Sequence, residues 1–130
     1  IIAGMAGVLA VHAMFDQPLI QTSQHIRTGP GQWLGEIIAT FALLLTIFGT
    51  IRLAPDRVPA SVALVIIAGY WFTSSTSFAN PAITIARSLT DSFAGIAPAD
   101  VPGFIIAQFI GALLALLVAK WLFVGPQTND

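Results

Sequence analysis

The segment whose residue types most clearly indicate a binding function is Asn80-Pro81-Ala82, which interrupts a hydrophobic stretch of the chain. Proline suits the first position of a helix, where its missing N–H costs no hydrogen bond, and asparagine is favoured directly before it. The side-chain oxygen of Asn80 can accept from a free backbone N–H, which leaves its amide NH2 as an outward donor. A helix N-terminus adds roughly half a positive charge. This combination predicts a group that donates to a small polar molecule and opposes cations.

The residues before this segment can supply matching acceptors. The carbonyl groups of residues 75–79 precede the predicted helix and have no helical N–H partner. A donor flanked by acceptors lets a small hydroxylic molecule exchange hydrogen bonds with water for hydrogen bonds with protein. The sequence therefore indicates the binding or passage of such molecules.

Other reactive side chains show no catalytic or metal-binding pattern. The serines between residues 74 and 77 have no general base placed beside them by a recognisable motif. His12 and His25 are the two histidines of a sequence without cysteine, so no metal site is expected. His12 and Asp16, four residues apart, are expected to form a boundary pair instead. We expect neither an enzyme nor a bound cofactor.

The composition indicates a membrane protein. Of the 130 residues, 56% are hydrophobic and 8% are charged, whereas soluble domains carry about 25% charged residues. Five Lys and Arg residues against six Asp and Glu residues give no basic surface for nucleic acid. Three apolar segments approach the ~20 residues that cross a bilayer: Trp33–Ile51, Val58–Phe72 and Phe104–Val124. We predict an all-α membrane protein.

The segment from Asn80 to Thr90 is too short to span. At ~1.5 Å per residue it covers only about half of a ~30 Å hydrocarbon core. We expect a re-entrant half-helix near residues 80–90, which enters the membrane and returns on the same side. Irregular backbone before it is tolerated where it is packed in protein or lines a wet cavity.

The start of the chain resembles the last span. Ile1–Leu9 can be laid on Ile105–Leu113 without a gap, and Ile, Ile, Ala, Gly and Leu coincide. Consecutive repeats with an odd number of helices are inverted relative to each other in a membrane. We expect residues 1–15 to be the end of a third spanning helix, 16–31 an outer loop, and 32–130 a second repeat with three spans. The N-terminus is expected to be truncated.

Lys and Arg set the expected orientation. Arg52, Arg57 and Lys120 lie on one predicted side of the membrane, and Arg27 lies on the other. Because short cytoplasmic loops carry an excess of these residues, the first side is expected to be cytoplasmic. We expect an integral, multi-pass protein of the plasma (inner) membrane.

These features together resemble the major intrinsic protein family, the aquaporins and aquaglyceroporins. Three sets of residues carry the resemblance: Asn80-Pro81-Ala82, Gly35-Glu36 with Thr40, and Ala107-Gln108 with Gly111-Ala112. They are similar to the family's signature box, its fourth helix and its sixth helix. The resemblance implies an inverted repeat with six spanning helices, two Asn-Pro-Ala half-helices meeting at the midplane, and a homotetramer with one pore per subunit. It also implies a missing N-terminal half with the first box.

The position after the box departs from the family pattern. The family usually has an arginine there, which narrows the outer filter and helps to exclude cations, whereas this chain has Ile83. Spacing from the box carries two further filter positions over to Ala68 and Ser77, or to Gly69 and Phe78 if the register slips by one residue. A filter of Ala68, Ser77 and Ile83 implies a wide, fairly apolar opening for water and larger neutral solutes such as glycerol, urea or undissociated metalloid acids.

Three further polar residues are candidates for site roles. Arg87 shares a helix face with Ile83 and could rim an outer vestibule, or it could pair with Asp91 at i+4. By resemblance, Glu36 supports backbone N–H groups of the re-entrant loop. Gln108 is expected to bond between helices or to the loop, because a polar residue within a span needs partners.

The sequence thus predicts a passive channel in which Asn80 donates to the permeant. Its expected partners are water, small neutral solutes and membrane lipid. One alternative is a secondary transporter built on broken helices, with Glu36 as its coupling group. The other is a non-conducting fragment or assembly subunit, because half of a repeat pair encloses no pore.

Overall fold

The computed structural model describes residues 1–123. Within this range the chain contains helices and no strand, so the predicted all-α fold is confirmed. Proline-led 3₁₀ turns precede two of the helices, at Pro55–Arg57 and Pro98–Asp100. The helices are α1 (Ile2–Met14), α2 (Pro30–Leu53), α3 (Val58–Phe72), α4 (Pro81–Arg87) and α5 (Val101–Phe123). Residue 124, where the third span was predicted to end, lies outside the described residues.

Among residues 1–123, two stretches are long and apolar enough to cross a membrane: the 24 residues of α2 and the 26 residues from Pro98 to Phe123 that contain α5. Only 22% and 28% of their most apolar parts are buried within the chain, which leaves wide apolar surfaces for lipid or further protein. Helix α3 has the predicted bounds, but its 15 residues cover only ~22 Å at ~1.5 Å per residue. That α3 spans the membrane therefore stays a prediction.

Helices α2 and α5 pack side by side and run in the same direction. Gly103 faces Trp33 at their first ends, and Gly49 faces the Phe123 ring at their last ends. Gly111 permits the close approach midway, since a Cβ there would collide with the backbone carbonyl of Ile37. Small residues commonly allow membrane helices to approach in this way. Helix α3 returns alongside α2.

The charged residues lie at the ends expected from the sequence. Arg52 of α2 and Lys120 of α5 line one cavity at the far end of this helix pair. Arg27 lies at the opposite end, where its backbone N–H donates to Asp100 Oδ2 at 2.7 Å. The structure thus brings Arg52 and Lys120 to one side and Arg27 to the other.

The half-helix is shorter than predicted, because α4 ends at Arg87 and not at Thr90. Ser88 turns the chain: its N–H and its hydroxyl donate to the Ile85 carbonyl at 3.2 and 2.7 Å. The Arg87 carbonyl then accepts from the Ile96 N–H at 3.3 Å, a contact with the following loop. Local side-chain bonding to the backbone competes with helix continuation in this way.

The predicted boundary pair between His12 and Asp16 is wrong. Asp16 is exposed, and its φ of 52° turns the chain away from α1. The buried His12 ring instead places Nδ1 2.9 Å from the Leu19 carbonyl oxygen. The prediction required His12 and Asp16 to lie on one continuous helix, but α1 ends at Met14.

Replacing Gly111 with alanine tests the contact between α2 and α5. We expect Gly111→Ala to destabilise the protein by about 1–3 kcal/mol, because the added methyl group overpacks a close backbone contact. Gly31→Ala is the matched control, since a Cβ at Gly31 meets nothing within 4 Å. Thermal unfolding in detergent measures both variants, and equal melting temperatures would contradict the packing described here.

Candidate functional site

Asn80 caps the N-terminus of α4. Its extended backbone (φ −158°, ψ 118°) directs the side-chain oxygen at two backbone N–H groups, those of Ala82 at 2.8 Å and Ile83 at 3.3 Å. Pro81, the first helical residue, has no N–H to satisfy. Because Oδ1 faces these donors, the NH2 group of Asn80 points away from the helix and is free to donate outward. The side chain is exposed in the described chain.

The backbone leading to Asn80 is held in an unusual conformation. Thr76, Ser77 and Ala79 have φ values of 61°, 50° and 47°. The left-handed region costs a residue with a Cβ about 1–2 kcal/mol. Three such residues within four positions persist only where surrounding contacts hold them, an arrangement typical of functional sites.

Glu36 of α2 holds the loop that precedes Asn80. Its side chain is 0% exposed. Oε1 accepts from the Phe78 N–H and the Ser75 hydroxyl, both at 2.8 Å, and Oε2 accepts from the Ala79 N–H at 2.9 Å and from Gln108 Nε2 at 2.6 Å. An ionised carboxylate offers about four acceptor positions, so all are used. The structure therefore brings Glu36 to the loop backbone that the sequence analysis assigned to it.

Gln108 connects this carboxylate with the half-helix. Its Nε2 donates to Glu36 Oε2 and also to Thr84 Oγ1, the latter at 2.8 Å. The Thr84 hydroxyl in turn donates to the Asn80 carbonyl at 2.9 Å. Helices α2, α5 and α4 are thus joined by one buried chain of hydrogen bonds. Thr84 was missed by the sequence analysis, although a hydroxyl one turn after the cap was a signal for it.

Arg27 holds the same loop from the outer side. This buried guanidinium donates from Nε to the Gly95 carbonyl at 2.6 Å, from Nη1 to the Ser75 carbonyl at 3.2 Å, and from Nη2 to the Phe93 carbonyl at 2.6 Å. The fixed fork of arginine donors makes such a three-way contact possible. The sequence indicated only the side of the membrane for Arg27 and gave no signal of these anchoring contacts.

Burial is also the main electrostatic effect on Arg27. Desolvation, followed by the nearby Arg87 guanidinium, lowers the pKa of Arg27 below its usual value. An arginine nevertheless stays protonated at neutral pH. A permanent positive charge therefore lies beneath the outer loop.

The series of free carbonyls before Asn80 is one residue shorter than predicted. The Ser75 carbonyl is occupied by Arg27, which corrects the expectation for residues 75–79. Within residues 1–123, no hydrogen bond reaches the carbonyls of residues 76–79. These four carbonyls directly precede the exposed Asn80 side chain.

Arg87 lies against an aromatic ring, and it does not form the ion pair with Asp91 that was one of its two predicted roles. Its Cζ lies 4.3 Å from the centroid of the Phe78 ring, and Arg27 Cζ lies 5.1 Å from the same centroid. Asp91, the alternative partner, instead accepts from the Gln24 N–H at 2.9 Å. Arg87 and Ile83 line a common cavity of about 360 Å³. A vestibule role for Arg87 stays a prediction.

The candidate filter residues differ in exposure. Ile83 is 37% exposed, and Ala68 is also exposed. Ser77 is buried against Gly69, where a Cβ would lie 2.6 Å from the serine hydroxyl. The two residues of the alternative register, Gly69 and Phe78, are buried. That Ala68, Ser77 and Ile83 form a filter stays a prediction.

Comparison with known proteins identifies the family. The chain is 51% identical over 126 residues to Aquaglyceroporin AqpS of Rhizobium meliloti (strain 1021). The chain belongs to the major intrinsic protein family. The match covers 94% of this chain and 54% of the relative, so the chain spans about half of the relative's length. No family model matches the chain, and no solved structure matches it.

Membership of the major intrinsic protein family supports the site at a general level. Membership of a channel family, together with the two apolar helices, supports the prediction of a membrane protein that is not an enzyme.

Replacing Glu36 with glutamine tests how the loop of a major intrinsic protein is held. We expect Glu36→Gln to lower the free energy of unfolding by roughly 3 kcal/mol, because hydrogen bonds to charged groups contribute about 1.5–3 kcal/mol each. Asp56→Asn, at an exposed acid in the turn after α2, is the matched control. Denaturant unfolding in detergent, followed by circular dichroism, compares the two. Equal stability of both variants would contradict a supporting role for Glu36.

Proposed function

We propose that this chain contributes to a passive channel for water and small uncharged solutes. The observation that carries the proposal is the exposed Asn80 amide, which is oriented as a donor by its bonds to the start of α4. The carbonyls of residues 76–79 provide acceptors on the approach to it. A hydroxylic solute can replace its bonds to water by bonds to this donor and these acceptors as it passes.

The proposed solutes include glycerol, urea and undissociated metalloid acids. Ile83 presents an apolar, uncharged side chain at the position where the family usually has arginine, and Ala68 adds little bulk. Such an opening admits molecules larger than water and requires less polar contact with them. The relative with 51% identity is described as an aquaglyceroporin, which supports passage of a polyol.

The hydrogen bonds of Glu36 favour a channel over a proton-coupled transporter. All four acceptor positions of its carboxylate are used by donors of the protein. Proton coupling would require one of these bonds to break in every cycle, in a buried site where an unpaired polar group is costly. We therefore assign Glu36 and Gln108 to support of the loop.

The proposed assembly is a homotetramer in the plasma (inner) membrane, with several passes per subunit. We assign the cytoplasmic side to the end that carries Arg52, Arg57 and Lys120, because cytoplasmic loops have an excess of positive charge. A first half with its own Asn-Pro-Ala box is proposed to complete each pore. The apolar surfaces of α2 and α5 are available for such contacts and for lipid.

Stopped-flow light scattering on proteoliposomes containing the complete polypeptide tests this function. Osmotic shrinkage in an impermeant sugar reports water flux, and re-swelling in glycerol or urea reports solute flux. We expect fast shrinkage followed by re-swelling, with neither dependent on a proton or sodium gradient. Gradient-dependent flux would favour the transporter, and the absence of any protein-dependent flux would favour a non-conducting subunit.

The variant Ile83→Arg tests the proposed filter in the same vesicles. We expect water flux to persist and glycerol and urea flux to fall about tenfold or more, because a guanidinium narrows the opening and adds a charge. Ile83→Leu is the control for side-chain replacement without charge. An equal loss of water and solute flux in Ile83→Arg would contradict the assignment of Ile83 to the filter.

A further inference from the structure

Helices α2 and α5 end beside each other at a small basic cavity. Its volume is about 270 Å³, and it is lined by Phe48, Arg52, Leu116, Ala119, Lys120 and Phe123. The two α2 residues lie four positions apart, and the four α5 residues follow i, i+3, i+4 and i+7 spacing, so each helix contributes one face. The volume is ample for a phosphate group, because one water molecule occupies about 30 Å³ in the liquid.

The cavity carries positive charge without a compensating acid. Arg52 and Lys120 are both exposed, so a ligand can reach them. Among the described residues, no acid lines the cavity, and Asp56 lies outside it in the 3₁₀ turn that follows α2. The planar fork of an arginine can bind two oxygens of one phosphate, and a lysine adds a point charge on a flexible stem. The pair therefore suits a phosphate group.

The cavity lies at the end of a membrane-length helix. Arg52 is the second-to-last residue of α2, whose 24 residues extend ~36 Å at ~1.5 Å per residue, slightly more than the ~30 Å hydrocarbon core. Trp121, the residue after Lys120, is 80% exposed, and tryptophan is enriched where membrane and water meet. These positions place the two cations at the level of lipid headgroups.

The apolar part of the lining favours a lipid over a soluble anion. Phe48, Leu116 and Phe123 lie in the same cavity as the two cations. Leu113, which precedes Lys120 by seven residues and shares its helix face, is 58% exposed. A phosphate ion leaves this surface uncovered, whereas the glycerol backbone and acyl chains of a phospholipid bury it.

The charge of the cavity also selects among phospholipids. A zwitterionic headgroup brings its own cation close to Arg52 and Lys120, whereas an anionic headgroup adds no positive charge. Basic pockets between membrane helices on the cytoplasmic side bind acidic headgroups in other proteins. Arg52 and Lys120 lie at the end that we assign to the cytoplasmic side.

We propose that this cavity binds the headgroup of an anionic phospholipid. Arg52 and Lys120 donate to the phosphate oxygens, and an acyl chain lies along α5 past Leu116 and Leu113. The bound lipid then joins the ends of α2 and α5. The inference goes beyond the proposed function and does not depend on it, because it concerns the outer surface of the helices and requires no flux.

Thermal unfolding of the complete polypeptide in detergent, titrated with phosphatidylglycerol, tests the site. We expect the melting temperature to rise and saturate, because a ligand that binds the folded state stabilises it. Phosphatidylcholine with the same acyl chains, and inorganic phosphate at matched ionic strength, are expected to raise it less. No rise with phosphatidylglycerol would overturn the site. An equal rise with phosphatidylcholine would overturn the anionic headgroup, and an equal rise with inorganic phosphate would overturn the lipid.

Variants that each remove one positive charge locate the site. We expect Arg52→Gln and Lys120→Gln each to raise the half-saturating phosphatidylglycerol concentration about fivefold, the factor for one basic residue near an anionic surface. Arg57→Gln is the matched control, because Arg57 lies in the turn after α2 and does not line the cavity. Each variant is compared with its own lipid-free melting temperature, so a change in basal stability does not alter the comparison.

The control separates a defined site from general surface charge. A half-saturating concentration that rises equally in Lys120→Gln and Arg57→Gln would overturn the proposal, and a rise confined to Arg52→Gln and Lys120→Gln would support it. Flux in proteoliposomes is a separate measurement. A protein that binds phosphatidylglycerol at this cavity but conducts neither water nor solutes would contradict the proposed function and retain the lipid site.

Discussion

The carboxylate of Glu36 is the group on which the geometry of the site depends. It lies on a membrane-length helix, where an isolated charge would be expensive, and its cost is offset by four hydrogen-bond donors. Two of these donors are N–H groups of an irregular loop that has no secondary structure to satisfy them. The same hydrogen bonds thus offset the desolvation of the Glu36 carboxylate and satisfy N–H groups of the loop backbone, which water does not reach inside a membrane.

The loop that Glu36 supports is held from two directions. Glu36 accepts from the loop N–H groups on the inner side, and Arg27 donates to the Ser75 carbonyl on the outer side. Between these contacts, the left-handed residues direct the chain into α4, and Asn80 closes the turn as its cap. Within residues 1–123, the carbonyls of residues 76–79 and the Asn80 amide NH2 make no hydrogen bond.

Local rules predicted one part of this structure and long-range contacts decided the rest. The bounds of α3 and the cap at Asn80 follow from proline positions, capping preference and apolar runs. The predicted end of α4 was wrong because the Ser88 hydroxyl donates to the Ile85 carbonyl. Helix propensity does not determine whether this hydrogen bond forms. The contacts of Arg27 join residues separated by 48 to 68 positions in the chain, and no spacing rule reaches that far.

Amide hydrogen exchange at Phe78 and Ala79 tests the central claim most directly. Both N–H groups donate to the buried Glu36 carboxylate, so in the unaltered protein they are predicted to exchange slowly although they lie outside any helix. The Asp91 N–H, which donates to Gln21 Oε1 in a solvent-exposed hydrogen bond, is the internal reference and is predicted to exchange fast. Exchange of Phe78 and Ala79 as fast as that of Asp91 would contradict the account, because Glu36 would then not hold the loop.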